Sequence, residues 1–544
     1  MDTSMAHNWL HFHSLSSFPL LTLLCAMPLG FALLALAIPD EQTNAHKAWS
    51  FLGALATFAA SLVVLSRFDR SAVGLQQVDD YAWIPSFNAR WTLGVDGLSL
   101  PLVLLTGLLM PLIFAGAWSA IDKRWKEFSI AMLILETGML GSLLAVDLLS
   151  FYVFWEIMLV PMYLIVGIWG GKDRIYATVK FFIYTMFGSL LMLVAILWLY
   201  QKSGGSFALA QLAELKLSEG EQTWLFAAFA LAFLIKVPVF PFHTWLPDAH
   251  TEAPTPGSVV LAGVMLKLGT YGLLRFAIPL FPAAMGKFSP LLLALAVIGI
   301  VFGALMAYVQ TDVKRLVAYS SVSHLGFVML GIVIFNEESL QGAILQGVNH
   351  GISTGALFLL VGYVYERRHT REIAEFGGIA AKMPVYAAFF VFVTMSSIAL
   401  PLTNGFVGEF LIFAGSFKEG VQAVIAPPAI AGHWRNTVLV GGGIASLGIV
   451  LGAVYMLSMV RRVFFGQITN PANQSLRDLT WREKSIMAVL AVFILWIGVY
   501  PSSWLNLSKT TVQAMVEAER PGILQVRAPL DYKHEASQHA HADR

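Results

Sequence analysis

Six ionisable side chains, Glu156, Lys236, Lys267, His324, His350 and Glu409, lie inside stretches of sequence that are otherwise apolar. Lys236 is the extreme case, in Phe226-Ala-Ala-Phe-Ala-Leu-Ala-Phe-Leu-Ile-Lys-Val-Pro-Val-Phe-Pro-Phe242. A lysine at the centre of a membrane helix costs about 2.5 to 3.5 kcal/mol on insertion scales, so such residues mark an ion or proton path with a partner nearby. Histidine titrates near neutral pH, and surroundings can draw a lysine into titration. The chemistry available to this set is proton relay across a membrane. Lys236 lies about 20 Å along a helix from Thr223, too deep to reach water by extending its side chain. Lys267 is at similar depth beyond Pro256. Glu156, in Phe151-Tyr-Val-Phe-Trp-Glu-Ile-Met-Leu-Val-Pro161, is the expected counter-ion of Lys236. Small or polar neighbours that admit water surround His324 (Tyr319-Ser-Ser-Val-Ser-His-Leu-Gly326) and His350 (Gly347-Val-Asn-His-Gly351).

Other titratable groups carry weaker signals. Lys180 is close enough to Arg174 to snorkel to the interface. Glu136 fits a helix-packing hydrogen bond, and Asp147 a tight turn, where acids are common. His243 and His250 follow the Lys236 segment and fit either proton delivery or a loop cross-link. The His-rich ends (His7, His11, His13; His534, His539, His541) fit a metal tag or disordered polar tails.

The elements that must hold these groups are membrane spans. The 544 residues are 57% hydrophobic and 12% charged, against roughly 25% charged in ordinary soluble domains. A net charge of +1 gives no global field for nucleic acid. Cys25 is the only cysteine, which excludes an intrachain disulfide and cysteine-ligated zinc or iron–sulfur centres. No Gly-rich phosphate loop stands between a strand and a helix. Hydropathy windows of about 19 residues give about fourteen spans, near 18–38, 47–66, 96–119, 128–147, 149–170, 175–200, 223–241, 254–276, 288–310, 312–334, 341–364, 384–417, 437–464 and 485–505. The fold class is therefore an all-α polytopic membrane protein. The first span is read as retained, because residues 1–17 hold no Lys or Arg for a signal peptide's basic region. Lys and Arg concentrate in loops after odd-numbered spans, such as Lys123, Arg124, Lys126, Arg367, Arg368 and Arg371. Those loops are expected to be cytoplasmic, and both termini outside.

The seventh and twelfth spans are interrupted, by Pro238 and Pro241 after Lys236 and by Pro401-Leu-Thr-Asn-Gly405 before Glu409. Five spans apart, they cross in opposite directions, as in inverted repeats whose broken helices mark the functional centre. The expected organisation is 1–127 for the N-terminal tail and helices 1–3, 128–276 and 277–464 for two inverted five-helix repeats, and 465–544 for helix 14 and a polar tail. Lys236 is placed near the C-terminal end of a half-helix, and Glu409 in the first turn of another, each where the local dipole favours its charge.

Phe154-Trp-Glu-Ile-Met-Leu-Val-Pro-Met-Tyr163, Lys236-Val-Pro-Val-Phe-Pro-Phe-His-Thr-Trp-Leu-Pro-Asp-Ala-His250, Ala253-Pro-Thr-Pro-Gly-Ser258, Gln310-Thr-Asp-Val-Lys-Arg-Leu-Val-Ala-Tyr-Ser-Ser-Val-Ser-His324 and Phe406-Val-Gly-Glu-Phe410 closely resemble the antiporter-like membrane chains of proton-pumping NADH:quinone oxidoreductase, respiratory complex I. The resemblance covers about residues 95–505. It implies that Glu156 and Lys236 form a switching ion pair, that Lys267, His324 and His350 form the central connection, and that Glu409, expected to pair with Lys267, faces the exit. Related chains commonly carry lysine where this sequence has Glu409. The resemblance also implies no cofactor in this chain, flavin and iron–sulfur clusters in partner subunits, neighbouring antiporter-like chains as partners, and a bacterial inner membrane with periplasmic termini. The alternative is a sodium/proton antiporter subunit. Sodium needs oxygen ligands, and beyond Thr403-Asn404 no intramembrane cluster of them is visible.

Overall fold

The computed structural model describes residues 7–425 and 428–527, with backbone alone at 422–425, 428–433, 435 and 525–527. His534, His539 and His541 and the end of the polar tail lie outside the described residues. Among the described residues, ten helices are long and apolar enough to cross a membrane, or eleven if the bent pair Trp481–Val499 and Ser502–Leu524 is one span. The chain is a multi-pass membrane protein. All fourteen expected segments are helical, but the count of fourteen spans is not established. Leu20–Ala35 is short, Glu219–Lys236 carries three charges, and the twelfth segment is divided into Pro384–Ser397 and Asn404–Ile425.

Burial sorts the helices into a centre and a rim. The apolar windows of Thr255–Leu280, Val313–Ile334 and Glu337–Arg368 are wholly buried, whereas those of Thr43–Ser66, Arg174–Lys202 and Asn436–Phe464 are one-third buried. A helix apolar on every side and buried on every side is surrounded by protein, and one exposing Leu, Ile and Val along a face meets lipid. Lys267, His324 and His350 stand on the three central helices, so protein rather than lipid lines their surroundings.

Both interruptions are present, each with its own backbone accounting. Helix Glu219–Lys236 opens on a capping box formed by Ser218 and Glu221 and ends at Lys236. Beyond it the Trp245 indole donates to the Ile235 carbonyl at 2.9 Å, satisfying an acceptor that the missing helical turn leaves free. The chain then resumes as Trp245–Glu252. In the second break Ala399 (φ 59°) and Leu402 (φ 72°) are left-handed without being glycine, a conformation that persists only when the surroundings impose it. Asn404 does so. Its Oδ1 accepts from Ser396 Oγ at 2.5 Å and Ser353 Oγ at 3.2 Å, and its carbonyl accepts from Asn349 Nδ2 at 2.6 Å. Helix Asn404–Ile425 thus begins early enough to put Glu409 beyond its first turn, which corrects the expected placement. The local dipole is not what holds this carboxylate.

The structure adds two elements to the helical reading. Strands Gln76–Ile84 and Ala89–Val95 form an antiparallel hairpin, too short and polar for a hydropathy window to register. Beyond Pro501 the chain bends by 64° into an amphipathic helix, Ser502–Arg527. It straps one face of the molecule, with Thr511 Oγ1 accepting from Gly97 N–H at 3.1 Å, Arg520 pairing with Glu419 at 2.6 Å and Glu519 accepting from the Trp9 indole at 3.3 Å. The N-terminal end is accordingly no free polar tail: Trp9 is fully buried, and His7 Nδ1 lies 3.0 Å from Glu519 Oε1. His11 and His13 are exposed.

Candidate functional site: a buried row of titratable groups

The first half of the row centres on Lys236, which is 2% exposed. Its ammonium lies 5.0 Å from the centre of the Trp155 ring, a cation–π contact that substitutes for water around a desolvated charge. Glu156 does not approach Lys236 within 4.0 Å among the ion pairs of the described residues. Its Oε1 is buried without a hydrogen-bond partner, and Tyr152 stands one helical turn before it. Met158 separates helices Leu148–Ile157 and Leu159–Trp169 two residues beyond it. The expected direct ion pair between Glu156 and Lys236 is thus not among those of the described residues.

Lys267 stands on the helix facing the break. That helix contains two π-turns, Leu261–Met265 and Leu273–Ala277, on either side of the lysine, and such turns free backbone carbonyls at functional positions. The Lys267 ammonium uses one of them, bonding the Ala262 carbonyl. Gly269 permits the close approach to the break: a Cβ there would lie 2.6 Å from Val237 Cγ2 and 2.7 Å from the Phe233 carbonyl.

From Lys267 onward the row is nearly continuous. Lys267 Nζ lies 2.7 Å from His350 Nδ1, the His350 and His324 rings are 6.0 Å apart between centroids, and His324 Nδ1 lies 3.2 Å from Glu409 Oε1. Glu409 also accepts from Gln346 Nε2 at 3.1 Å. Its partner is thus His324, not the expected Lys267, because the second break delivers the carboxylate to helix Val313–Ile334. A cavity of ≈ 10 Å³ lies against both histidines, with Gln346, Asn349, Ser353 and Ser397 among its walls, about the room one water requires. His350 Nε2 has no protein partner, and a water there could join the rings.

Of the remaining groups, Lys180 pairs with Asp248 at 2.8 Å and does more than snorkel. Asp147 caps helix Leu148–Ile157, accepting from Leu149 and Ser150 N–H. Glu136 is fully buried with both oxygens unpartnered, so the expected helix-packing hydrogen bond is not formed. His243 stacks on Phe240, and His250 on Phe358. Sequence reasoning missed Trp155, Gln346 and Asn349. Trp155 adjoins Glu156, and Asn349 adjoins His350, within the quoted motifs, whereas Gln346 looks like an ordinary polar residue of a long helix.

A lysine and two histidines on wholly buried helices, with Lys236 and Glu409 beside two breaks, define an ion-translocating membrane protein. Residues 145–430 match the family model described as NADH:quinone oxidoreductase/Mrp antiporter, TM. The chain is 43% identical over 516 residues to NADH-quinone oxidoreductase subunit M of Rhodobacter capsulatus, covering 92% of this chain and 96% of that one. It is 41% identical over 512 residues to NAD(P)H-quinone oxidoreductase chain 4 1 of Synechococcus elongatus, covering 93% of each. Among solved structures, a chain of respiratory complex I from Thermus thermophilus superimposes with a TM-score of 0.79 at 31% identity, covering 91% of this chain and 99% of that one. A chain of the Mrp complex from Dietzia sp. DQ12-45-1b does so at 0.78 and 21% identity, covering 94% and 100%, a likeness of fold. The chain belongs to the NADH:quinone oxidoreductase/Mrp antiporter family. It is a proton-translocating membrane subunit of the NADH-quinone oxidoreductase complex, a multi-subunit assembly.

Proposed function

We propose that this chain carries protons along Glu156, Lys236, Lys267, His350, His324 and Glu409, driven by quinone reduction in other subunits. The observation that supports the reading most is the 2.7 Å approach of Lys267 to His350, in line with the 3.2 Å contact of His324 and Glu409. A lysine beside a carboxylate keeps its proton and releases it when the partner withdraws. One unit of pKa corresponds to about 1.4 kcal/mol, so modest movements of Glu156 suffice to send the proton onward. In this reading the chain binds no redox group, flavin and iron–sulfur clusters reside in partner subunits, and its neighbours include further antiporter-like chains. Residues 128–276 and 277–464 act as inverted halves about the two breaks. Lys267→Met, assembled and reconstituted in liposomes with its partners, is expected to lose NADH-driven proton pumping. Pumping at the native rate would remove Lys267 from the path.

The membrane in this reading is a bacterial inner membrane, with both termini periplasmic and the loop holding Arg367, Arg368 and Arg371 cytoplasmic, by the excess of basic residues on that side. A reporter fused after Arg544 is expected to read as periplasmic, and one inserted beside Arg368 as cytoplasmic. A cytoplasmic C-terminus would show that one span has been miscounted.

A further inference from the structure

A second line of contacts leaves Lys267, toward the hairpin and the C-terminal strap. Lys267, Tyr271 and Arg275 repeat every four residues along one helix, placing Arg275 about 12 Å from Lys267 at 1.5 Å per residue. A cavity of ≈ 10 Å³ touches Lys267, Thr270, Tyr271 and Leu98, so the lysine is not sealed on this side by packing alone. Next comes a completely buried ion pair. Arg275 is 0% and Asp96 1% exposed, and Arg275 Nη2 lies 2.6 Å from Asp96 Oδ1. Arg275 Nε donates to the Tyr271 hydroxyl at 3.1 Å, and that hydroxyl donates to the Leu143 carbonyl at 2.9 Å. Asp96 Oδ1 also accepts from Leu98 and Ser99 N–H. The guanidinium is covered by the Trp9 ring, 5.4 Å away, and Trp9 is in turn bonded to Glu519, beside the partly exposed His7. Lysine, cavity, tyrosine, ion pair, tryptophan and acid thus form one file from mid-protein to the strap.

Arginine cannot pass a proton on. Its guanidinium stays protonated in proteins, and a fixed positive charge in a narrow path repels an incoming proton, as arginines do in proton-excluding pores. Removing two ions from water is costly and is often matched by apolar packing of equal volume, so a pair retained at this depth calls for a role beyond stability. Asp96 Oδ2 and Arg275 Nη1 are both buried without partners, leaving the pair less than fully satisfied.

We propose that Asp96 and Arg275 form an electrostatic plug that prevents protons on Lys267 from escaping directly to the hairpin face, directing them along His350 and His324 to Glu409. Arg275 supplies the barrier, Asp96 and Tyr271 hold its guanidinium across the file, and Trp9 with the strap closes the outside. The inference rests on the reading of Lys267 as a proton carrier.

The test removes both charges together, since a single neutralisation would strand the other ion. Asp96→Asn/Arg275→Gln, purified as the whole assembly and reconstituted without NADH, is expected to raise passive proton leak under an imposed pH gradient by about tenfold, a barrier loss of roughly 1.4 kcal/mol. Adding Lys267→Met is expected to return the leak to the native level. An assembled double variant with native leak overturns the plug, as does a leak that persists undiminished with Lys267→Met. Should the double variant not assemble, Arg275→Lys answers the same question: it keeps a cation that can release its proton, so leak is expected to rise, and native leak in that variant overturns the plug. Normal pumping by Lys267→Met alone would instead count against the relay, so the two failures are distinguishable.

Discussion

Lys236→Ala is expected to cut NADH-driven proton pumping to about one hundredth of the native rate in an assembled complex, at the lower end of what a positioned proton-transfer group contributes. The ammonium at the end of helix Glu219–Lys236 is 2% exposed and rests on Trp155. Glu156→Gln is expected to fall nearly as far, because the amide removes the charge on which the proposed coupling depends. Tyr152 would retain a neighbour of the same shape, so the fold has little cause to change. The double variant is expected to be little worse than either single one, since residues that act as a unit lose their function once. Quinone reduction measured beside pumping separates a blocked relay from a lost subunit. Native pumping in Lys236→Ala, or strictly multiplicative losses in the double variant, would show that the two residues do not work together.

The separation between Glu156 and Lys236 also shows what the sequence could convey. A charge in an apolar run is conspicuous because insertion is costly, and so the six groups are legible one by one. Pro238, Pro241 and Pro401 reveal the breaks because proline cannot continue a helix. Partnership is another matter. Glu409 and His324 are 85 residues apart, and nothing local states that the second break turns the carboxylate toward His324 rather than Lys267. The same holds for Asp96 and Arg275, 179 residues apart, each of which falls at the edge of an apolar window and passes as an interfacial charge. Helix Ser502–Arg527 escaped for a different reason. Its buried Leu507, Val512, Met515 and Ile523 alternate with Glu517, Glu519 and Arg520, and a window that averages hydropathy cancels a pattern that a helical period would reveal. Trp9, which looks like part of a polar tail, is buried between that helix and Arg275.

Glu409→Gln is expected to reduce pumping as severely as the loss of Lys236, with the complex intact. In the native chain Glu409 Oε1 lies 3.2 Å from His324 Nδ1 and accepts from Gln346 at 3.1 Å. A glutamine can still accept from Gln346, so shape and much of the hydrogen bonding survive. It cannot take a proton from His324, and the row ends there. Glu409→Asp keeps the titratable group on a side chain one methylene shorter. It is expected to retain part of the activity, because the lost reach can be bridged by one water but at the cost of alignment. Glu409→Lys places an ammonium against a histidine that must itself become charged to transfer a proton. Like charges at this depth oppose one another in a weakly screening interior, so pumping is expected to be impaired. Measuring pumping and quinone reduction in all three variants, each shown to be assembled, ranks them: aspartate above lysine and glutamine. If Glu409→Gln pumps at the native rate, the carboxylate only braces His324 and the proton leaves the row before it.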